Sequence, residues 1–212
     1  MYEDRTVEEK YLYNFSDQEK KDFIAAQQKR QEELSQYRMR FNRLIAYGTS
    51  GIFSNYEPRS TTPLEIRYIL NRIAANDPRD QAFELGWVDS ILNGDQYALQ
   101  IARAFQNNTV CHRVVLRDIG LTDKGMAPIL SSLKDKDLSL LDIGGNKLTE
   151  ESFRTIDHIF AHPQNAWQHV RLGMIDLTSE RAESFRRNPH ISFSYERADG
   201  VLRIFSTQPF LR

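Results

Sequence analysis

CHRVVLRDIGLTDKGMAPILSSL, residues 111–133, is the stretch that decides the fold of this chain. Val114 and Leu116 alternate with Arg113, Val115 and Arg117, the period of two expected of a strand with one buried face. A turn then leads through Leu121-Thr122 into a segment where Met126, Ile129 and Leu133 recur at helical spacing. The arrangement returns in LSLLDIGGNKLTEESFRTIDHIF, residues 138–160, and in WQHVRLGMIDLTSERAESF, residues 167–185. The leucine of the Leu-Thr pair falls at 121, 148 and 177, steps of 27 and 29 residues. Apolar residues keep matching places: Cys111, Leu138 and Trp167; Val114, Leu141 and Val170; Leu116, Ile143 and Leu172. One such unit cannot bury its apolar face alone, so the copies are expected to stack.

The spacing L-x-x-L-x-L-x-x-x-x-L resembles the leucine-rich repeat family, in its long-repeat class typified by ribonuclease inhibitor and the repeat domains of NOD-like receptors. ALQIARAFQNNTVCHRVVLRDIGLTDKGMAPILSSL, Ala98 to Leu133, is similar to that class nearly throughout, and the resemblance covers residues 83–195. It implies an α/β fold: a short solenoid with parallel strands on a concave side and helices outside. The asparagine that in this family bonds the turn backbone appears only as Asn146, with Ile119 and Ile175 in the equivalent places. Leu85, Trp87 and Leu92 match the strand positions weakly, making Phe83–Phe105 a degenerate first repeat. At the other end, ISFSYER, Asp199-Gly200 and VLRIFSTQ read as two strands joined by a tight turn. Ile191–Tyr195 is expected to continue the repeat sheet and Val201–Ser206 to add an antiparallel edge, a β-hairpin cap.

Ahead of the repeats, residues 17–47 contain no Gly or Pro and many helix formers, and Ser16 with Glu19 offers a capping box. Leu34, Tyr37, Phe41 and Leu44 make a narrow apolar stripe on this helix, interrupted further back by Arg30 and Gln27 before Phe23. Two readings stand: a surface helix packed on its own domain, or a helix that binds a partner. Residues 48–62 read as a linker, and Thr62-Pro63 starts a helix through TPLEIRYILNRIAAN with Ile66, Ile69 and Ile73 at helical spacing. The domain organisation expected is a helical arm over 1–47, a linker over 48–62, and a repeat domain over 63–212 with a helical N-terminal cap and the C-terminal hairpin.

Charge is balanced, 28 Lys and Arg against 29 Asp and Glu in 212 residues, so there is no basic field for nucleic acid or an anionic membrane. YRMRFNR, Tyr37 to Arg43, interleaves arginines with aromatics, but Tyr37 and Phe41 belong to the apolar stripe, and a solvated helix face is the better reading. No apolar run has the length needed to span a bilayer, and MYEDRTVEEK is unlike a signal peptide. Cys111 is the single cysteine, which favours a reducing compartment and a cytoplasmic location.

Candidates for catalysis are thin. Neighbouring strand residues point to opposite faces, so Cys111 and His112 cannot form a thiolate–imidazolium pair, and Cys111 sits in a leucine position as a packed thiol. His158 and His162 have metal-ligand spacing with Asp157 nearby, but Pro163 ends the helix and a solvated pair is favoured. Gly144-Gly145-Asn146 has no following Gly-Lys-Ser/Thr and is not a phosphate loop. No enzyme activity, cofactor or metal is expected.

What remains is recognition of another protein. The register puts Arg113, Leu140 and His169 in one outward column, Val115, Asp142 and Arg171 in a second, and Arg117, Gly144 and Gly173 in a third. The expected function is a non-enzymatic interaction or scaffold subunit of a larger intracellular complex. It would bind protein partners through Arg113, Val115, Arg117, Asp142 and Arg171 on the concave face and through Leu34, Tyr37, Phe41 and Leu44 on the arm. The alternatives are a bacterial effector or a cytoskeleton-binding leucine-rich-repeat protein, and then a small metal-dependent enzyme. Oligomeric state is left open.

Overall fold

The computed structural model describes residues 7–46, 62–86, 93–174, 185, 187–196 and 202–205. The chain separates into two compact units, Met1–Asn71 and Arg72–Arg212.

In the first unit α1 (Asp17–Ala46) starts at the expected capping box, with the Ser16 N–H donating to Glu19 Oε2 at 2.8 Å and the Glu19 N–H to Ser16 Oγ at 3.2 Å. The helix α2 (Pro63–Ala74) repeats the device: the Thr62 N–H donates to Glu65 Oε2 at 2.7 Å and the Glu65 N–H to Thr62 Oγ1 at 3.2 Å. The first half of α1 packs on α2. Tyr11, Leu12, Phe15, Phe23 and Tyr68 form one buried cluster, with Phe23 and Tyr68 ring centroids 5.0 Å apart. The Arg67 guanidinium lies 4.0 Å over the Phe15 ring and pairs with Glu19 at 2.7 Å. The polar residues that break the apolar stripe have partners here: Gln27 Nε2 and Arg30 Nη1 donate to Glu65 Oε1 at 2.7 and 2.8 Å. Of the expected linker, only Thr62 is among the described residues.

The second unit carries one six-stranded sheet in chain order: β1 (Ala82–Gly86), β2 (Arg113–Arg117), β3 (Leu140–Asp142), β4 (Val170–Met174), β5 (Ile191–Glu196) and β6 (Leu202–Phe205). Neighbours pair in parallel from β1 to β5, and β6 returns antiparallel on β5. Three helices, α3 (Ala98–Gln106), α4 (Asp123–Leu133) and α5 (Glu150–Ala161), make the crossovers from β1 to β2, β2 to β3 and β3 to β4. The fold is thus α/β with a parallel sheet, as the alternation of periods predicts.

The register carries the matched apolar positions into single rows. Phe83, Val114, Leu141, Val170 and Ile191 face one another across five strands, and none is more than 1% exposed. The helices supply the other side of the core: Phe105 of α3 meets Phe83 at 5.5 Å, and Ile101, Met126, Ile129, Leu133, Phe153 and Ile156 are fully buried. Phe83 and Leu85 are buried on β1 opposite Val114 and Leu116, while Trp87 and Leu92 lie outside the described residues. The pairs Phe193 with Phe205 and Glu196 with Leu202 give the expected hairpin strands, whose Asp199-Gly200 turn also lies outside them.

Hydrogen bonds tie each turn to the next. Thr122, the N-cap of α4, donates its N–H and hydroxyl to the Asp95 carboxylate at 2.9 and 2.6 Å. Thr149, the N-cap of α5, does the same to Asp123 at 2.9 and 2.6 Å, and Ser152 adds its N–H and hydroxyl to that carboxylate. Neither threonine caps its own helix, so the carboxylate that serves each helix start comes from 27 residues earlier at α4 and 26 earlier at α5. Asn146 accepts the N–H groups of Ile119 and Leu121 and donates to the carbonyls of Leu116 and Ile143. One asparagine therefore secures two successive turns.

Candidate functional site

On the outward side of β2 the charged residues stay in water. Arg113 and Arg117 keep 49% and 40% of their side chains exposed, and Val115 between them is half-buried. Arg113 Nε pairs with Glu84 Oε1 of β1 at 3.3 Å, and Arg117 Nε with Asp118 Oδ2 at 3.2 Å. The second column is realised by the register, with Val115 opposite Asp142 and Asp142 opposite Arg171. In the first column Arg113 stands opposite Leu140. In the third, Gly144 and Gly173 approach so closely that a Cβ on Gly173 would lie 2.9 Å from Gly144 Cα. Gly173 also has a φ of +69°, so the place admits glycine almost alone.

The face differs from expectation at its centre. The sequence places Leu140, Asp142 and His169 in the outward columns, yet they are 6%, 5% and 4% exposed. All of β3 is buried. The Asp142 carboxylate accepts the Gly144 N–H at 3.2 Å, so it serves the turn after β3. Burial pushes the His169 imidazole below its ordinary range, helped by Arg171 and His190 and opposed by Asp142. The side chains that remain accessible are Arg113, Val115, Arg117 and Arg171, the last of them exposed. Leu34, Tyr37, Phe41 and Leu44 fall on the C-terminal half of α1, and their side chains lie outside the described residues.

The chemical candidates sort as follows. Cys111 is 3% exposed, its thiol donates to the Arg113 carbonyl at 3.3 Å, and burial pushes it up to about 12, so it is a protonated core thiol near neutral pH. His112 is exposed, with Nδ1 3.0 Å from the Asp137 carbonyl. His158 and His162 line a groove of about 340 Å³ between α4 and α5, together with Leu130, Lys134, Asp135 and Ile159. Among the described residues no three His, Cys, Asp or Glu side chains gather as metal ligands. No described helix is long and apolar enough to cross a membrane.

Sequence reasoning passed over Asp95 and Asp123, the carboxylates that cap the following helices, and Asn108, Asn165 and Asn188. Asn108 Oδ1 accepts the Cys111 N–H at 2.9 Å, Asn165 Oδ1 the Trp167 N–H at 3.2 Å, and Asn188 Oδ1 the His190 N–H at 2.9 Å, each just before a strand. The available signal was an asparagine two or three residues ahead of the residue whose N–H it accepts, on the approach to each of these strands.

No protein-family model matches the chain, and no curated protein sequence does. Among solved structures the chain is similar to leiomodin-1 actin-binding site 2, with a TM-score of 0.51 and 20% identity over 65% of this chain and 81% of that one. At this identity the likeness concerns the fold.

Proposed function

We propose that the second unit is a short leucine-rich-repeat array and that the protein is a non-enzymatic interaction subunit, binding a protein partner through the outward face of β2 and β4. The observation that carries this reading is the register that sets Val115, Asp142 and Arg171 side by side, flanked by exposed Arg113 and Arg117, on a sheet whose opposite rows are fully buried. The carboxylate-to-threonine links at Asp95–Thr122 and Asp123–Thr149, 27 and 26 residues apart, support the repeat assignment independently of the apolar spacing. A shallow face with arginines at its rim suits a protein edge, where arginine is favoured and deep enclosure is not needed.

The arm is the second proposed surface, at Leu34, Tyr37, Phe41 and Leu44. Glu19 and Phe23 hold α1 to α2, so deleting residues 1–47 would remove Tyr11, Leu12, Phe15 and Phe23 from the buried cluster and leave only Tyr68. Substitution of the four stripe residues by serine is the cleaner test. A second reading, attachment to the cytoskeleton, is favoured by the likeness to an actin-binding site of leiomodin-1.

Affinity purification of the full chain beside an Arg113→Glu/Arg117→Glu/Arg171→Glu variant, with mass spectrometry, tests the face. Partners recovered in fixed ratio with the parent and lost from the variant are the expected result. Unchanged recovery with the variant refutes the face, and co-sedimentation with filamentous actin decides the second reading.

A further inference from the structure

We propose that His158 and His162 form a bidentate chelate for a divalent transition-metal ion at the α4/α5 groove. His158 lies in the last turn of α5, and His162, four residues on, is the cap that follows the helix, its N–H still held by the Ile159 carbonyl at 3.2 Å; side chains one turn apart come within about 5–6 Å at Cβ. Both are exposed and both line the same groove of about 340 Å³, so their rings share one solvent space. The His158 ring makes no hydrogen bond to another described residue, which leaves its nitrogens available. His162 Nδ1 accepts only a long bond, 3.4 Å, from the Gln164 N–H, which leaves its Nε2.

The end of α5 suits a cation. The last carbonyls of α5 carry the negative end of its dipole, and of the two charged side chains that line the groove, Asp135 is paired with Lys134 at 3.9 Å, so the ammonium offsets the carboxylate. Neutral imidazoles select copper, nickel and zinc over magnesium and calcium, which prefer oxygen ligands. Because no third protein ligand joins the pair among the described residues, water completes the coordination. An ion held in this way keeps positions that a histidine or carboxylate of a bound protein can fill.

The test uses the untagged full chain. Cu²⁺ titration followed by electron paramagnetic resonance should show one equivalent bound through two nitrogens and retained against excess glycine. Calorimetry should rank Cu²⁺ above Ni²⁺ and Zn²⁺, with no binding of Mg²⁺. His158→Ala and His162→Ala should each weaken binding at least about tenfold, a loss of about 1.4 kcal/mol, and reduce the nitrogen count to one. Exposed His112, changed to Ala, should leave binding as it was. Acidification should release the ion, because protons compete for the same lone pairs. Binding unchanged in His158→Ala, a single-nitrogen spectrum in the parent, or loss of the copper to glycine would each overturn the proposal.

Discussion

Asp123→Ala is the substitution that most directly tests how the turns are joined. The carboxylate accepts four hydrogen bonds, from the N–H and hydroxyl groups of Thr149 and of Ser152, and it alone caps the start of α5. Loss of an N-cap costs about 0.5–2 kcal/mol. The hydroxyls of Thr149 and Ser152 lose a charged acceptor as well, and each such bond is worth about 1.5–3 kcal/mol where it is shielded from water. Thr149 is exposed and regains water, whereas Ser152 is 3% exposed, so only the second loss counts nearly in full. The sum is about 2–5 kcal/mol.

Urea unfolding of the full chain, followed by circular dichroism, reads this as a fall in midpoint at unchanged slope. Asp123→Asn keeps one acceptor oxygen and should cost less than Asp123→Ala. The pH dependence supplies a second check. Burial opposes ionisation of Asp123, but the bonds from Ser152 and Thr149 outweigh it and hold the carboxyl below its usual range. A depressed folded-state value stabilises above the unfolded value of about 3.9, and that stability is lost as pH falls through the folded one. The gap between parent and Asp123→Asn should therefore be full at pH 7 and close at pH below about 4. An Asp123→Ala protein within about 0.5 kcal/mol of the parent at pH 7 would refute the capping argument, since that is the scatter of ordinary surface substitutions.

Three further outcomes are expected. Leu141→Ala removes a fully buried side chain from the middle of the five-strand row and should lower stability by about 2–5 kcal/mol, read by the same urea titration. Gly173→Ala should cost at least about 1–2 kcal/mol from its positive φ, and more from the 2.9 Å approach to Gly144 Cα; a neutral result would mean that the two strands are further apart than described. Cys111, buried and protonated, should resist a disulfide reagent at neutral pH until urea unfolds the chain, and stoichiometric labelling of the native protein within minutes would contradict its placement in the core.

The repeat spacing and the alternation in VVLR and in LLD already named the strands, the helices between them and the residues that make the buried rows, because both periods are local and recur along the chain. Ser16 with Glu19 and Thr62 with Pro63 announced two helix starts for the same reason: their hydrogen bonds span three residues. Three features required the tertiary structure. The Asp123 carboxylate reaches Thr149, 26 residues on, a link that exists only once α4 and the start of α5 are brought together. Leu140, Asp142 and His169 sit at outward positions of an alternating pattern, yet the folded chain buries them. Gln27 and Arg30, which look like breaks in an apolar stripe, are the residues that hold Glu65 of α2. A one-dimensional pattern records which face a side chain takes, but what covers or pairs with that face depends on groups tens of residues away, and only the folded chain brings them within reach.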